Sequence, residues 1–380
     1  MSLPGSGAGR RDGREVPEFF PQRGTNPPFA SGRPPSVALD MAPIDVRALL
    51  RRPLVVAPMA GGTSTPALVA AAGAAGALGF LAGGYQTAAG LLAEIDQLRA
   101  AGAAPFGVNL FVPSPPAAVA EEVERYAASL QAEAGRLGCR LGEPAWDDDG
   151  WDDKLAAVLD AAPPVVSFTF GCPEPDVVEA LRRAGSAVAV TVTTVAEAMV
   201  AAGRGADILC SQGLEAGGHR GLFRNDGRPV QQVPVVDLVS GIAAVTDLPQ
   251  LAAGGVAGPD QVREVLAAGA VAAQCGTAFL RCSESGAHPL HKAALADPAW
   301  IGTALTRAFS GRPARGLVNR FMADHPDAPA AYPQVNNLTR PLRAAAAAAG
   351  DTAAMSLWAG MGFRSATDRP AGEIVEMLAP

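Results

Sequence analysis

The chain has 380 residues, of which 49% are hydrophobic and 18% are charged, enough apolar material for a sizeable core. Its net charge of −7 argues against a surface for nucleic acid or anionic membranes, because such surfaces concentrate Lys and Arg. Its five cysteines are odd in number and form no CxxC pair, so they predict neither a disulfide framework nor a thiolate zinc site. We therefore expect a cytoplasmic protein, and the N-terminus also lacks the layout of a signal peptide.

The first forty residues are rich in Gly, Pro and Arg and lack apolar periodicity, which predicts a flexible tail over 1–40. From Pro53 onward, short runs rich in Val, Ala and Leu alternate with helical segments. These runs predict strands over 53–58, 78–84, 106–112, 165–171, 187–193, 206–213, 248–255 and 270–280. The eight strand–helix units predict an α/β fold, namely a closed (β/α)8 TIM barrel. A doubly wound open sheet is the rival, but its first turn normally reads GxGxxG and here reads PMAGGT.

The uncharged segment 65–85 has the length of a membrane span. It consists mainly of Ala and Gly and is interrupted by glycines, so it predicts a buried helix, turn and strand instead. After Leu280 the strand–helix rhythm stops. We expect two structural units with these boundaries: the barrel over 41–112 and 163–283, and a smaller helical cap near the substrate pocket over 113–162 and 284–380.

Glycines follow the last two predicted strands, where TIM barrels commonly bind phosphate through backbone N–H groups. Gly254 and Gly255 follow the seventh strand, and Gly276 and Thr277 lie in the eighth unit. Ordinary turns would explain one such pair. Two pairs in these two units favour a phosphate site, to which the Thr277 hydroxyl adds a donor.

Other residues near the strand ends have two open interpretations. Pro58, Met59 and Ala60 follow the first strand and could form a flat wall against an aromatic ring, or fill the core. Polar amides interrupt or end three further strands: Asn109, Gln212 and Gln274. Each amide could bond to a ligand, or to buried groups of the protein itself.

The stretch 211–221, SQGLEAGGHRG, places a lone imidazole among glycines just after the sixth strand. Glycine lets the backbone approach a ligand closely, and a neutral imidazole can take a proton from an acidic carbon near neutral pH. An isolated histidine is more often structural or exposed, but its place at a barrel mouth favours His219 as a catalytic residue. His288 and His291 have no accompanying carboxylate motif, so we expect them at the surface and expect no metal site.

Five motifs, in this order, resemble the nitronate monooxygenase family, formerly called 2-nitropropane dioxygenases: APMAGGTS, PFGVNLF, SQGLEAGGHRG, LAAGGVAGPDQV and QCGTAFL. The resemblance extends from about Pro53 to about Phe363, where WAGMGF is similar to a family segment near the substrate pocket. It implies an FMN-binding barrel that oxidises alkyl nitronates, with nitroalkanes as a further substrate class. It also implies that O2 converts the nitronate to a carbonyl compound and nitrite, through a flavin semiquinone.

The resemblance implies roles for individual residues. His219 would act as the base toward neutral nitroalkanes or would help to place the anionic nitronate. Met59 and Ala60 would lie beside the isoalloxazine, and Asn109 and Gln212 would bond to the flavin. The complete set expected to bind FMN is Pro58, Met59, Ala60, Asn109, Gln212, Gly217, Gly218, Gly254, Gly255, Gln274, Cys275, Gly276 and Thr277.

Rival functions follow from the same residues. The first is an FMN-dependent enoyl-thioester reductase that uses NAD(P)H. The others are a phosphate-binding isomerase without flavin and a non-catalytic flavin-binding partner in a biosynthetic complex. In every case we expect a small-molecule ligand, no nucleic-acid or membrane partner, and a monomer or homodimer.

Overall fold

A computed structural model describes residues 45–103, 105–115 and 119–380, so the predicted tail over 1–40 lies outside the described residues. Its strands are β1 (Leu54–Val56), β2 (Leu78–Ala82), β3 (Phe106–Phe111), β4 (Val165–Thr169), β5 (Ala187–Val192), β6 (Ile208–Gln212), β7 (Gly218–His219), β8 (Gln250–Ala253), β9 (Ala272–Cys275), β10 (Thr303–Thr306) and β11 (Ala314–Leu317). All of these except β7, β10 and β11 form one closed barrel, in which each strand is parallel to the next and β9 pairs with β1. The predicted (β/α)8 barrel is therefore confirmed.

The α-helices alternate with the barrel strands and then continue into the C-terminal part. They are α1 (Pro66–Ala74), α2 (Ala88–Ala100), α3 (Ala120–Ser129), α4 (Gln131–Arg136), α5 (Trp151–Ala161), α6 (Pro175–Arg183), α7 (Val195–Gly203), α8 (Val235–Ala243), α9 (Pro259–Ala267), α10 (Pro289–Ala296), α11 (Arg320–Asp324), α12 (Gln334–Ala348) and α13 (Ala371–Leu378). Short 3-10 helices span Val46–Leu49, Thr277–Phe279, Thr352–Ala354 and Phe363–Ser365.

Local sequence explains where the barrel helices begin. The hydroxyls of Thr65, Thr87 and Thr194 cap α1, α2 and α7 by accepting a hydrogen bond from a backbone N–H of the first turn. The strands before these helices are buried along their whole length, as expected for a parallel sheet covered on both faces. Alternating caps and apolar runs therefore determine the strand–helix rhythm.

The uncharged segment 65–85 folds as the sequence predicts. It forms α1, a turn and strand β2, all in the barrel. In the described part of the chain, no helix combines the length and apolarity that a membrane crossing requires.

The cap has its own hydrophobic core, which includes Phe309, Phe321 and Leu338. It also contains a small antiparallel sheet in the order β10-β11-β7, although a purely helical cap was expected. Strands of two to four residues are too short to leave a clear alternation in the sequence. Because β7 belongs to the loop after the sixth barrel strand, this sheet joins the cap to the mouth of the barrel.

Two helices in the ranges expected for the cap belong to the outer layer of the barrel. Helix α5 contacts α2 and β3, and helix α13 contacts α1 and α9. Both cover strands that would otherwise be exposed on their outer face, which a parallel barrel strand rarely is. The eighth strand also ends earlier than predicted, at Cys275, and Thr277–Phe279 forms a 3-10 helix.

Candidate functional site

A cavity of about 460 Å³ lies at the carboxyl ends of the barrel strands, where TIM barrels place their active sites. Its wall contains every residue that the sequence analysis singled out for catalysis or FMN binding. These are Pro58, Met59, Ala60, Asn109, Gln212, Gly217, Gly218, His219, Gly254, Gly255, Gln274, Cys275, Gly276 and Thr277. The structure therefore brings together residues that are far apart in the chain, and the roles expected of them remain proposals.

His219 ends the short strand β7, where it pairs with Ala314 of the cap strand β11. Its imidazole is half-buried, and Nε2 lies 2.8 Å from Oγ of Ser310. Ser310 Oγ also lies 3.2 Å from the carbonyl oxygen of Arg312. The Ser310 hydroxyl thus lies between the imidazole and this carbonyl oxygen. It can accept from Nε2–H or donate to Nε2, according to the tautomer of His219.

Aromatic rings surround the imidazole of His219. The ring centroids of Phe170, Tyr332 and Trp358 lie 5.7, 5.9 and 5.5 Å from it. Phe170 has a backbone φ of +78°, a left-handed conformation that is unusual for an aromatic residue. Strained conformations of this kind concentrate at functional sites, where the surrounding structure holds them in place.

The electrostatics around His219 favour the neutral imidazole. Burial, together with the positive charges of Arg312 and Arg343, lowers its pKa to about 3. No proton is therefore expected on the second ring nitrogen at neutral pH. The imidazole can donate through one nitrogen and accept through the other, as a base or an anion-orienting group requires.

The loop that carries His219 is held by the side chain of Gln212. Its Nε2 donates to the carbonyl oxygen of His219 at 3.0 Å, and its Oε1 accepts from the backbone N–H of Gly221 at 2.8 Å. Arg220, which is buried, donates to the carbonyl oxygen of Gln212 at 3.0 Å. Gln212 thus organises the loop, and the contact to flavin expected from the resemblance would need its second amide proton.

Gly217 shows why this loop requires glycine. A Cβ atom at this position would lie 2.4 Å from the backbone nitrogen of Gly360, in the C-terminal WAGMGF segment. Gly360 N–H in turn donates to Thr277 Oγ1 at 2.9 Å. The loop after the sixth barrel strand, the C-terminal segment and the loop after the eighth strand therefore meet at one point on the cavity wall.

Asn109 and Gln274 are anchored to the barrel by their amide nitrogens. Asn109 Nδ2 donates to Ser167 Oγ at 2.9 Å and to Thr169 Oγ1 at 3.1 Å. Gln274 Nε2 donates to the Cys210 thiol at 3.1 Å. In the described ranges, neither side-chain oxygen takes part in a hydrogen bond, although both residues line the cavity. Both interpretations of these amides are thus compatible with the structure.

The loops after the last two barrel strands present free backbone donors. Gly254 and Gly255 have φ values of +126° and +69°, which favour glycine over any residue with a side chain. Among the residues that the structure describes, the backbone N–H groups of Gly255, Gly276 and Thr277 donate to no partner. Such unpaired donors, gathered at one end of a cavity, suit the oxygens of a phosphate group.

His291 corrects an expectation from the sequence. His288 is exposed and caps α10 through Nδ1, whereas His291 is half-buried, and both line the same cavity as His219. Burial lowers the pKa of His291 to about 4. Its position on the inward face of α10 was hidden by the irregular pattern of the segment. In the described ranges, no three His, Cys, Asp or Glu side chains are close enough to hold a metal ion.

Sequence reasoning also missed part of the site. Ser310, Arg312 and Tyr332 come from the cap, and Phe170 follows strand β4. No motif marks these residues, because they reach the imidazole only through the packing of the cap on the barrel. A second cavity, of about 800 Å³, adjoins the first and shares with it the residues Gly61, Tyr85, Phe111 and Arg343.

Comparisons with known proteins agree with this geometry. A family model described as "Nitronate monooxygenase" matches residues 45–380. A probable nitronate monooxygenase of Bacillus subtilis is 36% identical over 329 residues, which cover 84% of this chain and 92% of that protein. A probable nitronate monooxygenase of Staphylococcus aureus is also 36% identical, over 86% of this chain and 93% of that protein.

Solved structures give the same picture. A nitroalkane oxidase from Streptomyces ansochromogenes superposes with a TM-score of 0.84 and 50% identity, covering 88% of this chain and 96% of that one. FabK from Thermotoga maritima superposes with a TM-score of 0.66 and 26% identity, covering 88% and 94%. With the family model matched over the whole barrel and cap, the chain belongs to the nitronate monooxygenase family and is an oxidoreductase.

Proposed function

We propose that the protein binds FMN and oxidises alkyl nitronates with O2, yielding a carbonyl compound and nitrite. The observation that carries this proposal is the cavity at the barrel mouth, where His219 and all the residues expected to bind FMN share one wall. Its volume of about 460 Å³ falls within the range of roughly 300–1,000 Å³ that is typical of ligand pockets. When bound, FMN supplies the redox chemistry, since no protein side chain accepts electrons from a nitronate.

The residues present fit this cofactor. The free N–H groups of Gly255, Gly276 and Thr277 would hold its phosphate. Met59 offers a polarisable apolar surface to the ring system. Asn109 would direct its side-chain oxygen to a ring N–H, because its amide nitrogen is already engaged by the barrel. The cap would close the remaining side of the cavity.

Two roles for His219 follow from the sequence, and its surroundings favour one of them. A general base works best when its pKa is close to the operating pH, whereas the pKa of His219 is lowered to about 3. The nearby arginines, Arg312 and Arg343, disfavour a positive charge on the imidazole and favour a bound anion. We therefore propose that His219 orients a preformed nitronate anion and that neutral nitroalkanes are poorer substrates.

An absorbance spectrum followed by anaerobic titration tests the proposal. Purified protein reconstituted with FMN should show a flavin spectrum that bleaches with propionate 3-nitronate and stays oxidised with NADPH. Admitting O2 should restore the oxidised spectrum and release nitrite. Rapid bleaching by NADPH alone would instead support the enoyl-thioester reductase. A colourless protein that remains so with added FMN would support an isomerase, and a yellow protein inert to nitronate would support a non-catalytic partner.

The predicted cap and the expected partners belong to the same proposal. Arg343, Trp358 and His291 come from the C-terminal part of the chain and line the cavity, so this part would shape the substrate end of the site. We propose small-molecule ligands only, and a monomer or homodimer.

A further inference from the structure

Arg312 is an unusual residue beside the site. Its side chain is fully buried, at 0% exposure, in the segment that precedes β11. One guanidinium nitrogen donates to the carbonyl oxygen of Leu222, and Nη1 lies 3.4 Å from Oγ of Ser114. Arg312 thus connects the loop after β3 with the loop that follows His219.

The charge of Arg312 has no direct counter-charge. Within the described residues it forms no ion pair, and its Nε atom has no hydrogen-bond partner. The carboxylate that acts on Arg312 through space is that of Glu197 on helix α7. Both Glu197 oxygens already accept hydrogen bonds, from Thr193 and from the backbone of Phe223. A buried charge without a partner is costly, so a chain that retains one needs a compensating use for it.

Phe170 separates Arg312 from the imidazole. The guanidinium carbon lies 4.0 Å above the centre of the Phe170 ring, a cation–π contact, and the same ring meets His219 edge-on at 5.7 Å. Phe170 also contacts Tyr332 at 5.3 Å, so a change at Arg312 reaches two residues of the His219 surroundings. Stacking on the guanidinium helps to hold Phe170 in its left-handed backbone conformation.

The groups that face His219 carry no negative charge of their own. They are Ser310 before β11, Tyr332 before α12, Arg343 on α12, and Arg312 behind Phe170. Arg343 donates to Asn336 and lines both cavities, without an ion pair in the described ranges. Glu215 also lines the cavity, but its carboxylate already accepts hydrogen bonds from the backbone N–H of Val235. The positive charges that act on His219 are those of Arg312 and Arg343, and an incoming anion would balance them.

We propose that Arg312 is a positioning residue of this site: from behind Phe170 it supplies a buried positive charge that is balanced when an anionic substrate binds beside His219. The identity of that anion as a nitronate rests on the proposed function. The same charge opposes protonation of the imidazole, so His219 stays neutral. Arg312 acts through Phe170 and the electric field, and it does not line the cavity.

Ser114→Asp tests the proposal without removing the arginine. The new carboxylate would lie beside Nη1 of Arg312, where the serine hydroxyl is now, and would neutralise the charge while the stacking on Phe170 stays intact. Ser114→Asn is the matched neutral control. Arg312→Met removes the charge outright.

Two readouts that do not depend on turnover decide the outcome. The chain has only 4 histidines, so NMR can follow the His219 imidazole from pH 8 to below pH 3, with His219→Gln for assignment. In Ser114→Asp and Arg312→Met its pKa should rise by about one pH unit or more. The affinity for inorganic nitrite, used as the anion probe, should fall about tenfold in the same variants. Ser114→Asn should match the wild type in both readouts.

The proposal is overturned if folded Ser114→Asp retains the wild-type titration and nitrite affinity, or if Ser114→Asn shifts them equally. If Arg312→Met does not fold, the comparison of Ser114→Asp with Ser114→Asn still tests the proposal. Failure of the proposed function looks different. In that case the wild type would not oxidise any nitronate, whereas the NMR titration would still report on Arg312.

Discussion

His219 Nε2 and Ser310 Oγ lie 2.8 Å apart, although 91 positions separate the two residues in the chain. Ser310 Oγ also lies 3.2 Å from the carbonyl oxygen of Arg312. The pair connects the barrel loop that carries the histidine to the cap. The cap therefore engages Nε2 of His219 and leaves Nδ1 for a substrate.

Replacing Ser310 by Ala should lower kcat for nitronate oxidation by about three- to tenfold, the range expected for one hydrogen bond. The imidazole would keep its place but lose the partner that fixes its orientation. Steady-state kinetics with propionate 3-nitronate at equal FMN content measures the effect. Ser356→Ala is the control, because Ser356 lines the cavity without bonding to His219. Equal rates in wild type and Ser310→Ala would remove Ser310 from the mechanism.

Replacing His219 by Asn should lower the oxidation rates of a preformed nitronate and of a neutral nitroalkane to a similar extent. An imidazole that only orients the anion contributes the same to both substrates once the proton has left. A general base would instead accelerate the oxidation of the nitroalkane alone, by about 10²–10⁴-fold. Rates of both substrates with wild type and variant distinguish the two roles. A selective loss of nitroalkane turnover would show that His219 moves a proton.

Acid should destabilise the wild-type protein partly through the imidazoles of His219 and His291. The pKa of His219 is lowered to about 3 and that of His291 to about 4, whereas an unfolded imidazole titrates near 6.5. Below about pH 6.5 the unfolded state therefore binds more protons, and the free energy of unfolding falls as the pH falls toward 4. We expect His219→Gln and His291→Gln to lose less of their Tm between pH 7 and pH 5 than the wild type. Parallel Tm curves would contradict this linkage.

Placing a carboxylate in the loop after the eighth barrel strand should abolish FMN binding. Gly276 has an ordinary backbone φ of −110°, and a Cβ there meets Ala57 Cβ at 3.4 Å, so a side chain fits without backbone strain. Gly276→Asp would repel the phosphate, whereas Gly276→Ala should retain the flavin. Flavin content after dialysis, with circular dichroism as a check on the fold, measures the difference. Undiminished flavin in Gly276→Asp would place the phosphate elsewhere.

Chelation should leave the activity unchanged, because the chemistry proposed here needs only FMN and O2. The rate of nitronate oxidation before and after dialysis against EDTA tests this expectation. A loss of turnover that a divalent cation restores, at constant flavin content, would contradict it.

The sequence alone determined the barrel and the residues at its mouth. Short buried strands alternate with capped helices. Each of these elements is specified by residues close together in the chain, so the sequence predicts it. The sequence also marks the glycines of the 211–221 loop and the pair Gly254 and Gly255. Close approaches or left-handed conformations at these positions favour glycine over other residues. These features predicted that His219 and the expected FMN-binding residues lie at the mouth of the barrel.

Only the tertiary structure decided what surrounds His219. Ser310 and Tyr332 come from the cap and lie against the imidazole, and Arg312 lies behind Phe170. The pairing of β11 with β7, across nearly a hundred residues of chain, brings the cap to the histidine. The sequence likewise did not predict that α5 and α13 belong to the barrel layer, because an amphipathic helix does not specify which apolar surface it covers. Periodicity reports which face of an element is buried, but the partner of that face is chosen by long-range packing.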